Sequence, residues 1–174
     1  EKLSGREMDE KSKKEIAEII AVAAIKYSIL KQTISNDIIY DFEKSISFEG
    51  DSGPYLLYTA VRANSILEKA KTEKIKPKIN DERYTNMGET SIELERFISR
   101  FREIVARAAA EKSPHFITTY LVALASLFNS WYANTQIVKE SDDQSPHRIA
   151  LTMALRIILE NGLRLLGIKV PEKM

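Results

Sequence analysis

The segment from Ser113 to about Thr135 is apolar over so broad a front that it belongs in the middle of a helical assembly. At about 100° per residue, Ile117, Leu121, Leu124, Phe128 and Trp131 fall on one stripe, with Tyr120, Ala123 and Leu127 beside it. A narrow apolar stripe needs one neighbour; a front this wide needs several. Ser113 and Pro114 form its start signal, a capping side chain followed by proline at the first helical position.

The surrounding helices are legible from the same periodicity. Lys11 to Gln32 carries Ile16, Ile19, Ile20, Ala23, Ala24 and Tyr27 at helical spacing. Pro54 to Ala70, with Asp51 or Ser52 as its cap, places Leu56, Leu57, Ala60, Ala63 and Leu67 on one face. Ser91 to Glu111 reads as one amphipathic helix with a stripe of Leu94, Phe97, Phe101, Ile104 and Ala108. Ser145 and Pro146 repeat the start signal for a last helix that runs to about Leu166 and stops at Gly167. Between the first two helices, Asp37 to Phe42 mixes β-branched and aromatic residues and predicts a brief extended stretch. Residues 71–90, with Lys-Pro-Lys, Asn-Asp and Met-Gly, read as a connector of undefined helix content. Six glycines and five prolines are too few for a sandwich rich in tight turns. The expected fold class is all-α: a helical bundle preceded by a short connecting segment with a helix and a brief extended stretch.

A chain of 174 residues buries about 70% of its unfolded surface, enough for one sizeable core without a metal or disulfide staple. With Cys 0, thiolate nucleophiles, disulfides and cysteine metal sites are excluded. His115 and His147 lie far apart, read as surface or capping residues, and have no acid or serine at a recognisable partner spacing. No apolar run reaches the length of a membrane span, and Glu1-Lys-Leu-Ser-Gly resembles no signal peptide. The first residue is Glu rather than Met, as expected of an excised piece of a longer chain. There is no glycine-rich phosphate loop and no metal motif, so the residues themselves point to no chemistry of their own. Lys+Arg 26 against Asp+Glu 25 leaves +1, so bulk charge does not announce a nucleic-acid partner.

Local patterns do offer binding groups. On the helix after Pro54, Tyr55, Tyr58, Arg62 and Lys69 fall nearly opposite the apolar face. Two phenols and a guanidinium over two turns suit base stacking and phosphate contact on a single-stranded nucleic acid. They equally suit tyrosines packed on another helix with Arg62 paired to an acid. Farther along, Asn129, Tyr132 and Gln136 come together at spacings of three and four, either to read a base edge or to form a helix-end hydrogen-bond cluster. The Lys69 to Lys78 run carries five lysines against Glu68 and Glu73, a local +3 that fits a phosphate backbone or an ordinary solvated face.

The run Ser47-Phe-Glu-Gly-Asp-Ser-Gly-Pro-Tyr-Leu-Leu-Tyr-Thr-Ala-Val-Arg62 resembles the arginyl-tRNA synthetases, class I aminoacyl-tRNA synthetases. Ala24 to Leu30 and Ile39 to Lys44 resemble the segments that precede it in the family. Thr119-Tyr-Leu, Phe128-Asn-Ser-Trp-Tyr132, Arg148 to Leu151, Asn161 to Gly167 and the closing Pro171-Glu-Lys-Met174 resemble the anticodon-binding domain. The resemblance implies that residues 1–50 are the end of a catalytic region and connector, and 51–174 an α-helical anticodon-binding domain. It implies a cytoplasmic, monomeric parent that joins arginine to its tRNA with ATP through arginyl-adenylate, magnesium assisting the phosphates. Signatures resembling His-Ile-Gly-His and Lys-Met-Ser-Lys-Ser are not among these 174 residues, so this chain is expected to hold no cofactor or metal and not to aminoacylate alone. The implied partner is the tRNA, and no membrane is involved.

By resemblance, Tyr55, Tyr58, Arg62, Tyr132 and Met174 contact the anticodon loop, with Tyr132 and Met174 against splayed bases and Tyr58 with Arg62 against neighbouring nucleotides. Asn129, Trp131 and Gln136 are secondary candidates, Gln136 on geometry alone. Leu57 stands where the family commonly has Gln, Trp131 where another residue often precedes the tyrosine, and Lys173 where Arg is usual. Two alternatives remain: a helical protein-interaction module using Tyr55, Tyr58 and Trp131, and the cysteine or methionine branch of class I synthetases, against which the Ser47 to Tyr55 run argues.

Overall fold

The computed structural model describes residues 9–34, 36–38, 40–79 and 89–174, which form seven helices and no strand among the described residues. They are α1 (Glu10–Leu30), α2 (Phe42–Ser45), α3 (Gly53–Thr72), α4 (Glu89–Ser99), α5 (Phe101–Ala110), α6 (His115–Asn134) and α7 (Ser145–Leu165). Part of the connector predicted over 71–90, residues 80–88, lies outside the described residues.

The broad apolar front of α6 has the neighbours it demands: α6 packs on α3, α4, α5, α7 and α1. Its stripe Ile117, Leu121, Leu124, Phe128 and Trp131 is buried, Leu121, Leu124 and Phe128 completely. Ala123, expected beside that stripe, is exposed. α3 packs on α7 and α1, and its Leu56, Leu57, Ala60 and Ala63 share one core with Ala23 and Tyr27 of α1. No helix among the described residues is long and apolar enough to cross a membrane.

Local chemistry sets the helix ends. Ser52, rather than Asp51, caps α3: its hydroxyl accepts the Tyr55 N–H at 3.1 Å, and Pro54 occupies the first turn. Asp51 instead accepts from the Tyr27 hydroxyl and the Lys31 ammonium, tying the loop before α3 to α1. Gly167, at φ +69°, ends α7 as expected: its N–H donates to Arg164 O and that of Ile168 to Leu163 O, the paired bonds of a glycine-terminated helix.

Several expectations are corrected. Of the stretch expected to be extended, residues 37, 38, 40 and 41 are described and form no strand; Asp41 has extended backbone (φ −106°, ψ 111°), and Phe42 already opens the single turn α2, whose Lys44 N–H donates to the Asp41 carboxylate. A lone extended segment has no neighbouring strand to satisfy its backbone, whereas a capped turn satisfies its own. The helix predicted over 91–111 is two, α4 and α5, parted at Arg100. There the Phe97 carbonyl takes both the Arg100 N–H, in a tight i−3 bond, and the Tyr120 hydroxyl, which diverts it from the regular ladder. Ser113 does not cap α6; its hydroxyl turns back to Glu111 O. Ser145 does not cap α7 either, because its buried hydroxyl accepts Lys139 N–H and donates to Lys139 O, closing the loop between α6 and α7. His147 is buried rather than on the surface, its Nε2 2.9 Å from the Glu95 carboxylate of α4.

Candidate nucleic-acid interface

The face of α3 opposite its core stripe meets the C-terminal end of α6. Tyr55, Tyr58 and Arg62 recur at intervals of three and four along α3, so they share one face. Tyr132 on α6 points to the same place. The Arg62 guanidinium carbon lies 4.6 Å from the centre of the Tyr58 ring and 5.1 Å from that of Tyr132. Both rings are part-exposed, Tyr58 at 37% and Tyr132 at 40%, so they present surface as well as hold the cation. Such cation–aromatic contacts are worth about 0.5–1 kcal/mol each at exposed sites.

Arg62 is not neutralised by an acid in its described contacts. Nη1 donates to Asn129 Oδ1 at 2.5 Å and Nη2 to the Tyr58 hydroxyl at 3.0 Å. Amide and phenol are both neutral, so neither offsets the charge of this half-buried guanidinium. Phe48, in the loop before α3, stands edge-on to Tyr58, ring centres 6.3 Å apart and planes at 87°. Behind Tyr132, Phe128 lies stacked at 6.3 Å and 19°. Edge-to-face and offset stacking are the favoured geometries of aromatic pairs, so the surrounding chain fixes both platform rings.

Two hollows border Tyr132. One, of about 350 Å³, is lined by Tyr58, Arg62, Ser65, Lys69, Tyr132 and Met174, among others. The other, of about 490 Å³, runs along Ile66, Lys69, Tyr132 and the segment 133–138 that leaves α6. The structure thus gathers Tyr58, Arg62, Tyr132 and Met174, residues up to 116 positions apart (174 − 58), around one concavity. Met174 is buried, its side chain forming a wall of the hollow at the chain's end. Tyr55 is half-buried, and its hydroxyl accepts from the Asn129 amide. Gln136 lines the second hollow, its side-chain nitrogen 3.4 Å from Val138 O.

Trp131 does not belong to the exposed surface. At 3% exposure its indole is core, packed against Phe128, and offers no face for stacking. The helical stripe that contains it carries this signal, since Trp131 follows Phe128 on the buried side. Ser65, Lys69 and Phe48 complete the surroundings but are absent from the sequence-derived contact set. Lys69 was legible from its place on the Tyr55, Tyr58 and Arg62 face; Phe48, in a loop, has no periodicity to reveal it.

The chain is thus an all-α unit with two part-exposed rings around a guanidinium at a helix junction, and its class is given by comparison with known proteins. Residues 56–174 match the DALR anticodon binding domain, and the chain belongs to that family. It is 36% identical over 167 residues to the arginine–tRNA ligase of Pyrococcus abyssi, covering 96% of this chain and 27% of that protein. To the arginine–tRNA ligase of Streptococcus suis it is 37% identical, covering 99% of this chain and 30% of the relative. Its fold matches the solved arginyl-tRNA synthetase of Thermus thermophilus with a TM-score of 0.82 at 30% identity, over 98% of this chain and 29% of that one. The corresponding enzyme of Plasmodium falciparum gives 0.74 at 25% identity, over 92% of this chain and 28% of that one. The chain therefore spans less than a third of the length of these relatives.

Proposed function

We propose that this chain is the anticodon-binding part of an arginine–tRNA ligase, and that Tyr55, Tyr58, Arg62, Tyr132 and Met174 hold the anticodon loop of an arginine-accepting tRNA. The observation that carries this reading is the Arg62 guanidinium held between two tyrosine rings beside the hollow walled by Met174. Single-stranded loops are gripped by stacking unstacked bases on aromatic faces and by a few cations on the backbone. Here the rings are part-exposed, the cation keeps its charge, and the hollows on either side of Tyr132 give splayed bases a place to enter. Residues 51–174 form the binding unit, and residues 1–50 connect it to the rest of the ligase; the family match from residue 56 supports that division.

The complete enzyme, in this proposal a cytoplasmic monomer, attaches arginine to tRNA with ATP through arginyl-adenylate. The sequences resembling the ATP-site signatures do not occur in these 174 residues. Arginine, ATP and magnesium are assigned to the remainder of the longer ligase. What this chain contributes is a grip on the loop that fixes the orientation of the tRNA.

The test is binding of labelled RNA stem-loops to the 174-residue chain, followed by fluorescence anisotropy across a salt series. Binding should be modest, given the net charge of +1, and should weaken as salt rises. Tyr132→Ala should weaken binding about tenfold or more and erase the preference for an arginine anticodon, since stacking is worth about 1–3 kcal/mol per base. Equal binding of wild type and variant to matched and mismatched stem-loops would refute the site.

A further inference from the structure

Asn129 stands behind the ring pair, and the protein itself occupies both ends of its amide. Oδ1 accepts from Arg62 Nη1 at 2.5 Å, while Nδ2 donates to the Tyr55 hydroxyl at 3.0 Å and to Thr59 Oγ1 at 2.9 Å. An asparagine amide has two N–H donors and one carbonyl acceptor, so its donors are spent within the fold. The orientation of the amide is also determined. Thr59 donates its only hydroxyl proton to the Tyr55 carbonyl at 2.9 Å, which leaves Oγ1 to accept from Asn129 and turns the Asn129 carbonyl toward Arg62. Thr59 is completely buried. A buried hydroxyl on α3 thus sets an amide on α6, and that amide sets a guanidinium back on α3.

We propose that Asn129 is a positioning residue: it holds the Arg62 guanidinium between the Tyr58 and Tyr132 rings and does not itself read the ligand. A flexible arginine otherwise samples many rotamers, and ordering it only on binding costs affinity. With Nη1 anchored by Asn129 and Nη2 on the Tyr58 hydroxyl, the cation is set in place before a ligand arrives. The same bonds fix the hydrogen-bond sense of the surface. The Tyr58 hydroxyl accepts from Arg62 and that of Tyr55 from Asn129, so each keeps its own proton to donate. The surface is therefore organised to donate, and suits phosphate oxygens or base carbonyls.

This inference rests on the RNA reading above, and the test separates the two. Stem-loop binding is measured for wild type, Asn129→Ala, Thr59→Val, Arg62→Ala and the doubles of each of the first two with Arg62→Ala, with thermal unfolding of every variant. Asn129→Ala should weaken binding about tenfold, the worth of one hydrogen bond to a charged group. Thr59→Val should weaken it in the same direction although Thr59 cannot reach a ligand. Neither should weaken binding further once Arg62 is alanine, whereas any loss of thermal stability should persist in that background. Binding by both single variants at the wild-type level, or losses that add fully to that of Arg62→Ala, overturns the positioning role alone. Thr59→Val keeps the outcome decisive if Asn129→Ala fails to fold. Absence of wild-type binding overturns the RNA reading, and this inference with it, before any variant is compared.

Discussion

Replacing Gly53 with alanine should loosen the docking of α1 on α3, the helix that carries Tyr55, Tyr58 and Arg62. Gly53 opens α3 against the backbone of α1: a Cβ there would stand 2.7 Å from the Ala23 carbonyl carbon and 3.1 Å from Ala24 N, and closer still to Ala23 O. Unbonded carbon atoms sit about 3.5–4.0 Å apart, so α1 and α3 would have to separate by about 1 Å. The obstacle is main chain, and no rotamer change relieves it. Ala23, Ala24 and Tyr27, all at 1% exposure or less, are the side chains that would lose contact. Overpacking costs about 1–3 kcal/mol, and the rigid neighbour puts Gly53→Ala at about 3. For a chain of this size each kcal/mol moves Tm by about 2–4 °C, so a fall of about 6–12 °C is expected. Gly162→Ala is the control. The three atoms nearest its Cβ would all be side-chain atoms of Leu121, at 2.7, 2.9 and 3.2 Å, whose methyl ends can shift where a main chain cannot. Alanine also gains about 1 kcal/mol over glycine inside a helix, so the net cost should be at most about 1 kcal/mol. Thermal unfolding followed by circular dichroism decides between them. A Gly53→Ala chain as stable as wild type, or more stable than Gly162→Ala, would refute the close backbone docking of α1 on α3.

Stability should also fall in alkali. Burial pushes the Tyr120 phenol up to about 12, against the opposing pull of the Arg100 charge, and burial together with the Asp51 carboxylate raises Tyr27 further. Both stay neutral when folded while their unfolded counterparts ionise from about pH 10. Their contribution is complete below that pH and is lost as pH rises toward the folded values. Urea midpoints from about pH 9 to about pH 11.5 should drop, and Tyr120→Phe should flatten the drop; a pH-independent midpoint in the wild type would contradict the burial of these rings. Ser145→Ala should cost about 1–3 kcal/mol in urea unfolding, because the Lys139 N–H and carbonyl both lose their partner. An unchanged midpoint would show that this loop is held by other bonds.

The sequence by itself determined the all-α class, the central place of α6, the core faces of α1 and α3, the extent of α7 and the face shared by Tyr55, Tyr58 and Arg62. Each is written in a period of about 3.6 residues or in a local signal such as the Gly167 stop. The family resemblance was legible as well, because the Ser47 to Arg62 run lies in one continuous stretch. Local pattern failed where a distant group changed the outcome. Tyr120 took the Phe97 carbonyl and the helix over 91–111 broke; Lys139 claimed Ser145; Glu95 received His147 in the interior. Tertiary structure alone decided what Arg62 and the α3 tyrosines meet within the chain. Asn129, 67 positions away, supplies a neutral partner where an acid was the alternative, and Tyr132 supplies the second ring. Periodicity says which residues share a face of one helix; what faces them depends on how the helices pack, and that is a property of the whole core.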